Sequence, residues 1–375
     1  MSKGLRIELY YVHTMPGLED ITWSEIASRL AKPSLKITKR IPKKNGLVLF
    51  SYAGPPRALL ELRTTEDIFF LVKHIPKIAW GYTGVSQVYA ALLENRSLER
   101  GLAIHSHLAG RAHKRQVAFR VISRMSGGKQ PYRRNDLEQA VRKAIEKRSH
   151  GKWYAVPEGE DVEIWANLIG RDFVCGLRLS DASMRHRDYK VAHVTASLRP
   201  SVAASLAWLT GPQPTDDFVD PMCGAGTILV ERALMGRYRL LMGGDENPHV
   251  LRAARQNLGH NYQPWRLLQW DARHLPLAAH SVDKVATNLP FGIKVGDKRK
   301  VSALYYAFFR ELGRVLTPAG CAAVMSNRAE VIKQAVRESE SLAITKGYAF
   351  EILGRKAVIH VIERPTAARR PHPRG

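Results

Sequence analysis

The octapeptide Asp220-Pro221-Met222-Cys223-Gly224-Ala225-Gly226-Thr227 joins an apolar strand predicted over residues 217–219 to a helix predicted over residues 228–235. Its glycines let the backbone turn sharply and approach a ligand with no Cβ atom in the way. Such a turn is where a nucleotide-like ligand meets a parallel sheet, and the amides at the start of the helix suit a carboxylate. We therefore expect cofactor contacts from this turn, namely from Asp220, Cys223, Gly224, Ala225, Gly226 and Thr227.

The third glycine of the dinucleotide fingerprint is missing from the octapeptide, so an NAD site loses its main support. Around the turn, apolar strands alternate regularly with helices. This alternation predicts an α/β domain with a parallel sheet covered by helices on both faces. The predicted helices cover residues 200–209, 228–235, 248–259, 302–315 and 328–336, and the strands cover 217–219, 240–244, 267–270, 283–287, 320–326 and 357–362.

Acidic residues follow the next two predicted strands. Asp245-Glu246 comes after residues 240–244, and Asp271-Ala272 comes after residues 267–270. An acid at the first position can accept from both ribose hydroxyls, and a carboxylate at the second can accept from an adenine amino group. Helix N-capping is the alternative role at the first position. We assign the ribose to Asp245, leave both roles open for Glu246, and place Asp271 and Ala272 beside the adenine.

The tetrapeptide Asn288-Leu289-Pro290-Phe291, followed by Gly292, ends the fourth strand. The Asn288 carbonyl and the Leu289 main-chain carbonyl, which Pro290 holds in extended geometry, can each accept from one N–H of an exocyclic amino group. Phe291 offers a flat face for an extruded base. By itself the segment is also an ordinary turn. After a cofactor-type turn it predicts S-adenosyl-L-methionine-dependent N-methyl transfer, with Asn288, Leu289, Pro290 and Phe291 as catalytic residues and Asn288 also beside the cofactor.

The charge of the chain favours a polyanionic partner. It has 58 lysines and arginines against 34 acidic residues, a net charge of +24. Such a field favours nucleic acid over a small neutral substrate, although an Arg-rich lineage would also produce a basic protein. The predicted RNA contacts are Arg120, Arg124, Lys129, Arg133, Arg134, Arg185 and Arg187.

Several other features set limits. Three scattered cysteines form neither a disulfide framework nor a metal-ligand spacing, which fits a reducing cytoplasm. His105, His107 and His113 have no cysteine or carboxylate at ligand spacing, so no metal is predicted. The segment 1–11 lacks the apolar run of a signal peptide, and no stretch has the length of a membrane span. We expect a cytoplasmic protein that does not associate with membranes, with a monomer favoured.

The octapeptide, Asn-Leu-Pro-Phe-Gly at 288–292 and Ala-Ser-Leu-Arg-Pro-Ser-Val-Ala at 196–203 resemble the THUMP-domain tRNA guanine-N2 methyltransferases, especially those that modify guanosine 6 of the acceptor stem. The resemblance implies a THUMP domain that grips the single-stranded 3′ end of tRNA and a Rossmann-fold methyltransferase domain. The implied organisation is a ferredoxin-like domain at 1–75, THUMP at 76–180, a linker at 181–199, the methyltransferase domain at 200–362 and a disordered basic tail at 363–375.

Leu289 and Phe291 depart from the Asn/Asp-Pro-Pro-Tyr form of the broader N-methyltransferase motif. Leucine keeps its main-chain carbonyl, and phenylalanine keeps the stacking face but loses a hydroxyl. The Leu-Pro-Phe form resembles the THUMP guanine-N2 branch. Three alternatives stay open: an rRNA guanine-N2 enzyme, a nucleic-acid adenine-N6 enzyme, and a non-catalytic RNA-binding protein with this fold.

Overall fold

The structure is a computed structural model, and it describes residues 6–41, 44–111, 115–192, 194, 197–291, 298–352 and 354–365. The chain divides into two compact units near residue 185. Trp23–Met184, with the N-terminal residues through Glu19, form the first unit, and the second runs from Arg185 onward. His113, Ala196, Gly292 and the segment 366–375 lie outside the described residues.

The N-terminal unit is built on one eight-stranded sheet with the strand order β2-β3-β1-β4-β8-β7-β5-β6. Strand β4 pairs antiparallel with β8, with Phe69 opposite Arg178 and Ile75 opposite Phe173, so a single sheet runs through both predicted N-terminal domains. The boundary between 1–75 and 76–180 stays a prediction. The strands are β1 Glu8–Thr14, β2 Ser34–Arg40, β3 Gly46–Tyr52, β4 Asp67–Ile75, β5 Val117–Ser126, β6 Trp153–Ala155, β7 Val162–Ile169 and β8 Asp172–Arg178, and the helices are α1 Glu19–Arg29, α2 Tyr82–Leu93, α3 Leu98–Leu108 and α4 Arg134–Arg148.

The main core of this unit joins the sheet to its helices. Phe50, Phe70, Phe119, Leu137 and Val141 are all buried in one continuous apolar cluster. Leu137 and Val141 stand four positions apart on α4, the spacing that places side chains on one face of a helix. Burial of that face fixes α4 against the sheet and leaves its polar face exposed.

The C-terminal unit contains a seven-stranded sheet with the order β11-β10-β9-β12-β13-β15-β14. The five strands from β11 to β13 are parallel, while β15 is antiparallel to both β13 and β14. The short helix α5 Ser183–His186 spans the boundary between the two units. The elements that follow it are α6 Pro200–Leu209, β9 Asp217–Asp220, α7 Thr227–Ala233, β10 Leu240–Asp245, α8 Pro248–Leu258, β11 Trp265–Gln269, β12 Val282–Asn288, α9 Lys298–Val315, β13 Leu316–Ser326, α10 Ala329–Glu338, β14 Ala343–Ile352 and β15 Arg355–Glu363.

The expectation of a fully parallel sheet is therefore wrong at one edge. A short connection joins β14 to β15, and such a connection can only return the chain antiparallel. The strand order reverses direction between β9 and β12, which are neighbours. In open α/β sheets, ligands bind outside the carboxyl ends of the strands at this switch point.

Across the described part of the chain, every helix is too short or too polar to cross a lipid bilayer. The same residues contain no group of three or more histidine, cysteine or acidic side chains arranged to hold a metal ion.

Candidate active site

The glycine turn lies at the switch point, between β9 and α7. Gly224 and Gly226 have φ angles of +52° and +75°, in the left-handed region that glycine adopts without strain. The Cys223 amide donates to the Gly244 carbonyl at 2.9 Å, and the Gly226 amide donates to the Cys223 carbonyl at 2.8 Å. These bonds hold the loop against the end of β10.

The two glycines serve different purposes. A Cβ atom on Gly226 would lie 3.2 Å from the Cβ of Ala254, so this glycine allows α8 to pack closely on the turn. A Cβ atom on Gly224 would meet nothing within 4 Å. The backbone at Gly224 therefore faces open space, in which a ligand can approach the main chain.

Asp220 ends β9 and is 1% exposed. Burial raises the pKa of its carboxyl to about 7, and the negative charge of Asp245 adds to this shift. One carboxylate oxygen accepts from the Met222 amide at 3.3 Å. A cation bound beside Asp220 would favour the ionised carboxylate and reverse the shift.

Asp245 ends β10 and is half-buried. Its two oxygens accept from the amides of Gly224, at 3.1 Å, and Asn247, at 3.0 Å. The cap of α8 is Asn247, whose side chain accepts from the His249 amide at 2.9 Å. The alternative N-cap role therefore belongs to Asn247, and Asp245 ties the glycine turn to β10. Glu246 is exposed.

Asp271 is engaged by its neighbour Arg273. Both carboxylate oxygens accept from the Arg273 Nε atom, at 3.0 and 2.8 Å, and this hydrogen bonding lowers the pKa of Asp271. Ala272 is buried. The preceding Trp270 is also buried, and its indole N–H donates to the Pro221 carbonyl at 2.9 Å. Trp270 thus connects the third strand end to the glycine turn.

The tetrapeptide begins where β12 ends. The Asn288 Oδ1 atom is buried and accepts no hydrogen bond from the described residues. The side chain of Leu289 is fully buried in the core, and its amide donates to the Met325 carbonyl at 3.0 Å. Phe291 is half-buried. The segment is therefore anchored through Leu289, and none of the described residues donates to the Asn288 carbonyl.

Tyr305 holds the carbonyl of Pro290, and Ser326 contacts Tyr305; the sequence patterns single out neither residue. The hydroxyl of Tyr305, on α9, donates to the Pro290 carbonyl at 2.9 Å and lies 2.6 Å from the Ser326 hydroxyl. Ser326 ends β13 and accepts from the Arg328 amide at 3.0 Å. Tyr305 is fully buried, and burial raises its pKa, so it remains a neutral donor.

The segment before α6 is fastened to the same turn. Asn257, on α8, donates to the Ala225 carbonyl at 2.9 Å and accepts from the Ala192 amide at 2.9 Å. The Lys190 ammonium donates to the Ser197 hydroxyl at 2.9 Å, which lies 3.4 Å from the Thr227 hydroxyl. The predicted linker at 181–199 therefore contributes contacts to the glycine turn.

The predicted RNA contacts differ in accessibility. Lys129, Arg133 and Arg134 are exposed. Arg120 lies 3.7 Å from a Glu160 oxygen, and Arg124 is half-buried over the Trp165 ring, 4.4 Å from its centre.

Two of the predicted RNA contacts lie in the C-terminal unit. Arg185 is half-buried there. Arg187 is 5% exposed and forms an ion pair with the fully buried Glu231 at 3.4 Å. This placement counts against Arg187 as a phosphate contact and assigns it to the packing of the segment before α6.

The residues at the switch point fit a nucleoside with an amino-acid tail. The backbone at Gly224 faces open space, the Asp220 carboxyl has a pKa raised to about 7, and the Asp245 carboxylate is half-buried. The Asn288 carbonyl, which has no donor among the residues that the structure describes, adds an acceptor for a second ligand. Cationic, hydroxyl and amino groups are the partners that this set of acceptors requires.

Comparison with known proteins agrees with this geometry. Residues 187–352 match the family described as the RMKL-like methyltransferase domain. The chain is 32% identical over 223 residues to bovine (Bos taurus) tRNA (guanine(6)-N(2))-methyltransferase THUMP3, which covers 56% of this chain and 43% of the bovine protein. It is 25% identical over 381 residues to the tRNA (guanine(6)-N2)-methyltransferase of Methanocaldococcus jannaschii, across 88% of this chain and 93% of that protein.

Among solved structures, TrmN from Thermus thermophilus superposes with a TM-score of 0.76 at 23% identity, covering 96% of this chain and 100% of that one. The predicted methyltransferase fold is thereby confirmed, and so is the resemblance to the tRNA guanine-N2 methyltransferases. The chain spans less than half the length of the bovine relative.

Proposed function

We propose that this protein is an S-adenosyl-L-methionine-dependent tRNA methyltransferase that forms N2-methylguanosine at position 6 of the acceptor stem. The premise is that residues 187–352, which match the RMKL-like methyltransferase domain, form a methyltransferase domain in this chain. The names of its relatives supply the substrate and the position, and the geometry at the switch point supplies the chemistry. A cytoplasmic location belongs to this proposal and agrees with three cysteines that are all free thiols.

The cofactor would supply an electrophilic methyl group on its sulfonium. Asp220 would face the methionine ammonium, and the amides at the start of α7 would face the carboxylate. Asp245 would accept from the ribose hydroxyls with the lone pairs that Gly224 and Asn247 leave free. At the adenine, Asp271 would first have to release Arg273, so we rank it below the other contacts.

The observation that carries the proposal is the buried Asn288 carbonyl, which accepts no hydrogen bond from the described part of the chain. A buried acceptor without a donor costs roughly 1–3 kcal/mol, so a native protein keeps one where a ligand completes it. Asn288 ends β12, the strand beside β9 with Asp220 and the glycine turn. An amino group that donates to Asn288 would therefore lie close to the cofactor site.

The chain would catalyse methyl transfer mainly by orientation. The amino group of guanine is a weak nucleophile because its lone pair is conjugated with the ring. Asn288 and the Leu289 carbonyl would each accept a hydrogen bond from one N–H of this amino group and point the nitrogen at the methyl group, while Phe291 would stack on the flipped base. As the N–C bond forms and the C–S bond of the sulfonium breaks, the amino group would release one of its two protons to solvent. Tyr305 would act as a positioning residue, because it fixes the carbonyl of Pro290, which lies between Leu289 and Phe291 in the chain.

The N-terminal unit would hold the tRNA. Lys129, Arg133 and Arg134 are exposed beside the first turn of α4, and phosphate neutralisation dominates the affinity of proteins for nucleic acid. We retain here the ferredoxin-like domain at 1–75 and the THUMP domain at 76–180.

The test is methylation of tRNA by the purified protein, followed by nucleoside mass spectrometry and mapping of the modified position. Asn288→Ala should abolish turnover with little change in tRNA affinity, because its contact is made to the flipped base and strengthens in the transition state. Asn288→Asp keeps an acceptor oxygen and should retain part of the activity. Asn261, exposed in the loop before β11, provides the matched control Asn261→Ala.

The modified nucleoside and its position test separate parts of the proposal. N2-methylguanosine outside the acceptor stem would reject position 6 and keep guanine-N2 transfer. N6-methyladenosine would reject guanine as the target. Full activity in Asn288→Ala would reject the role assigned to the asparagine.

A further inference from the structure

The carboxyl edge of the seven-stranded sheet is divided by charge. Asp220 and Asp245 end β9 and β10, and Asp271 follows β11. In the order of the strands, all three carboxylates lie on one side of β12, which ends at Asn288. On the other side lies β13, and the second residue after its end is Arg328. Acceptors for the cofactor and a cation therefore lie on opposite sides of the same asparagine.

Arg328 is held close to the tetrapeptide. Strand β13 pairs with β12 so that Met325 lies opposite Asn288, and Arg328 comes three residues after Met325. Its amide donates to the hydroxyl of the buried Ser326 at 3.0 Å. Its Nη1 atom donates to the Ser302 hydroxyl, on α9, at 3.3 Å. These bonds orient the half-buried guanidinium at the edge where Asn288 ends its strand.

Helix α9 carries a second arginine toward the same place. Arg299, Ser302 and Tyr305 follow one another at intervals of three residues, so each lies beside the next on the helix surface. Tyr305 holds the Pro290 carbonyl. Arg299 is exposed, and its Cα atom lies about 9 Å along the helix from that of Tyr305. Arg299 and Arg328 are therefore both neighbours of Ser302, just outside the tetrapeptide.

The acidic side chains of the adjoining helices are engaged by other cations. Glu311 is the one acid in the sequence of α9, and it lies 2.7 Å from a nitrogen of Arg314. Glu330, in the first turn of α10, lies 2.7 Å from the Lys333 ammonium. These two carboxylates are thus directed away from the arginines that flank Ser302.

Guanidinium groups suit a phosphodiester. Their forked N–H donors match the oxygens of a phosphate and can bind two of them at once. The charged groups of the cofactor already have partners on the acidic side and at the glycine turn. A base that reached Asn288 would bring the phosphates of its own strand to the tetrapeptide, and such contacts position a nucleic acid whatever its sequence.

We propose that Arg299 and Arg328 bind the phosphates that flank the target nucleotide, so that the RNA strand crosses the β13 side of the edge while the cofactor occupies the side of β9 to β11. We call these two residues the arginine pair. The inference rests on the proposed function in taking RNA as the substrate. It assigns substrate contacts in the C-terminal unit that the sequence patterns do not single out.

The test measures binding of an unmodified tRNA transcript to the full chain over a series of salt concentrations. Arg299→Ala should reduce the slope of log affinity against log salt by about 0.7–0.9, the range for one phosphate contact, and should weaken binding roughly fivefold at about 0.15 M salt. Arg299→Lys keeps the charge and should keep the wild-type slope. Calorimetry should show unchanged S-adenosyl-L-methionine affinity in both variants, which also verifies that they are folded.

Arg328 also bonds to the protein, so two variants separate its roles. Arg328→Gln removes the charge but keeps a donor for the Ser302 hydroxyl, and it should lower the slope as Arg299→Ala does. Ser302→Ala removes that hydroxyl but leaves both charges, and it should keep the wild-type slope. Arg266→Ala is the matched control, because Arg266 is exposed on β11, at the far edge of the same sheet.

The outcomes distinguish this inference from the proposed function. A wild-type slope in either Arg299→Ala or Arg328→Gln would overturn the arginine pair, even if wild type methylates tRNA. An equal loss of slope in Arg266→Ala would also overturn it, because any exposed arginine of the unit would then have the same effect. Lower slopes confined to the arginine pair, in a protein that methylates no tRNA, would reject the proposed function and keep the pair.

Discussion

Asp220 should make the stability of the protein fall as the pH rises toward neutrality. Burial raises its pKa from the ordinary 3.8 to about 7 in the folded chain. Between these values the folded protein holds a proton that the unfolded chain has released, so raising the pH favours unfolding. The contribution is fully present below the unfolded pKa, declines between pH 4 and 7, and is then constant.

The magnitude follows from the window that is measured. From pH 5 to 7 the difference of one bound proton acts over about two pH units, and each unit corresponds to about 1.4 kcal/mol, so wild type should lose about 3 kcal/mol through this group. Asp220→Asn keeps an oxygen for the Met222 amide and cannot ionise. Its stability relative to that of wild type should therefore increase by up to this amount between pH 5 and pH 8.

Urea unfolding of both proteins at pH 5 and pH 8 measures the effect. The transition to analyse is the one that added cofactor moves to higher urea concentration, because it reports unfolding of the unit that contains Asp220. Asp271→Asn is the control, because Arg273 lowers the pKa of Asp271 and this group stays ionised across the range. Equal pH dependence in wild type and Asp220→Asn would refute the reasoning. Cofactor affinity should rise as the pH passes through 7 in wild type and in Asp271→Asn, which keep the Asp220 carboxyl, and should not rise in Asp220→Asn.

Three further changes test neighbouring contacts. Asp245→Ala removes the acceptor for two loop amides and the proposed ribose contact, so calorimetry should show at least about tenfold weaker cofactor binding; unchanged affinity in a folded variant would reject the assignment. Tyr305→Phe should lower kcat by roughly tenfold with KM for tRNA nearly constant, because it loosens the carbonyl that it holds without touching the substrate; a change in KM alone would point to a binding role. Gly226→Ala should destabilise the C-terminal unit by more than about 1–2 kcal/mol, since left-handed backbone strain adds to a close contact with α8. Gly211→Ala has similar strain in open space and isolates the backbone contribution in thermal unfolding.

The parts of the site that are local in sequence could be predicted. The glycine turn and the acids after β10 and β11 are each marked by an apolar strand followed at once by a glycine or a carboxylate. The carboxyl ends of parallel strands meet at one edge, so three local signals were enough to predict one crevice.

The supporting residues could not be found in this way. Tyr305 lies on the buried face of α9, where an aromatic residue is typical of core packing, and only the tertiary structure brings its hydroxyl to Pro290. Asn257 similarly reaches Ala225 and Ala192 from across the fold. Hydrogen bonds between residues far apart in sequence leave no periodic pattern.

The missed elements of the fold have related causes. Strand β4 is buried along most of its length and reads as a continuous apolar run, without the alternation that marks a strand with one wet face. Strands β2 and β14 are edge strands with many exposed polar residues. The spacing of residues 55–63 predicts an α-helix, and the structure has instead a 3-10 helix over Pro56–Glu61, preceded by another proline. Helices α2 and α3 and the short strand β6 were also not predicted.

The pairing of β4 with β8 determines where the protein can be cut. A fragment that began after β4 would leave β8 as a bare edge, with its row of unpaired amides and carbonyls available to another copy. Fragments divided near residue 75 should therefore aggregate, whatever the ancestry of the two halves. Division near residue 185 leaves every strand pair of both sheets within one piece, and expression of separate halves for crystallisation or binding studies should start from that point.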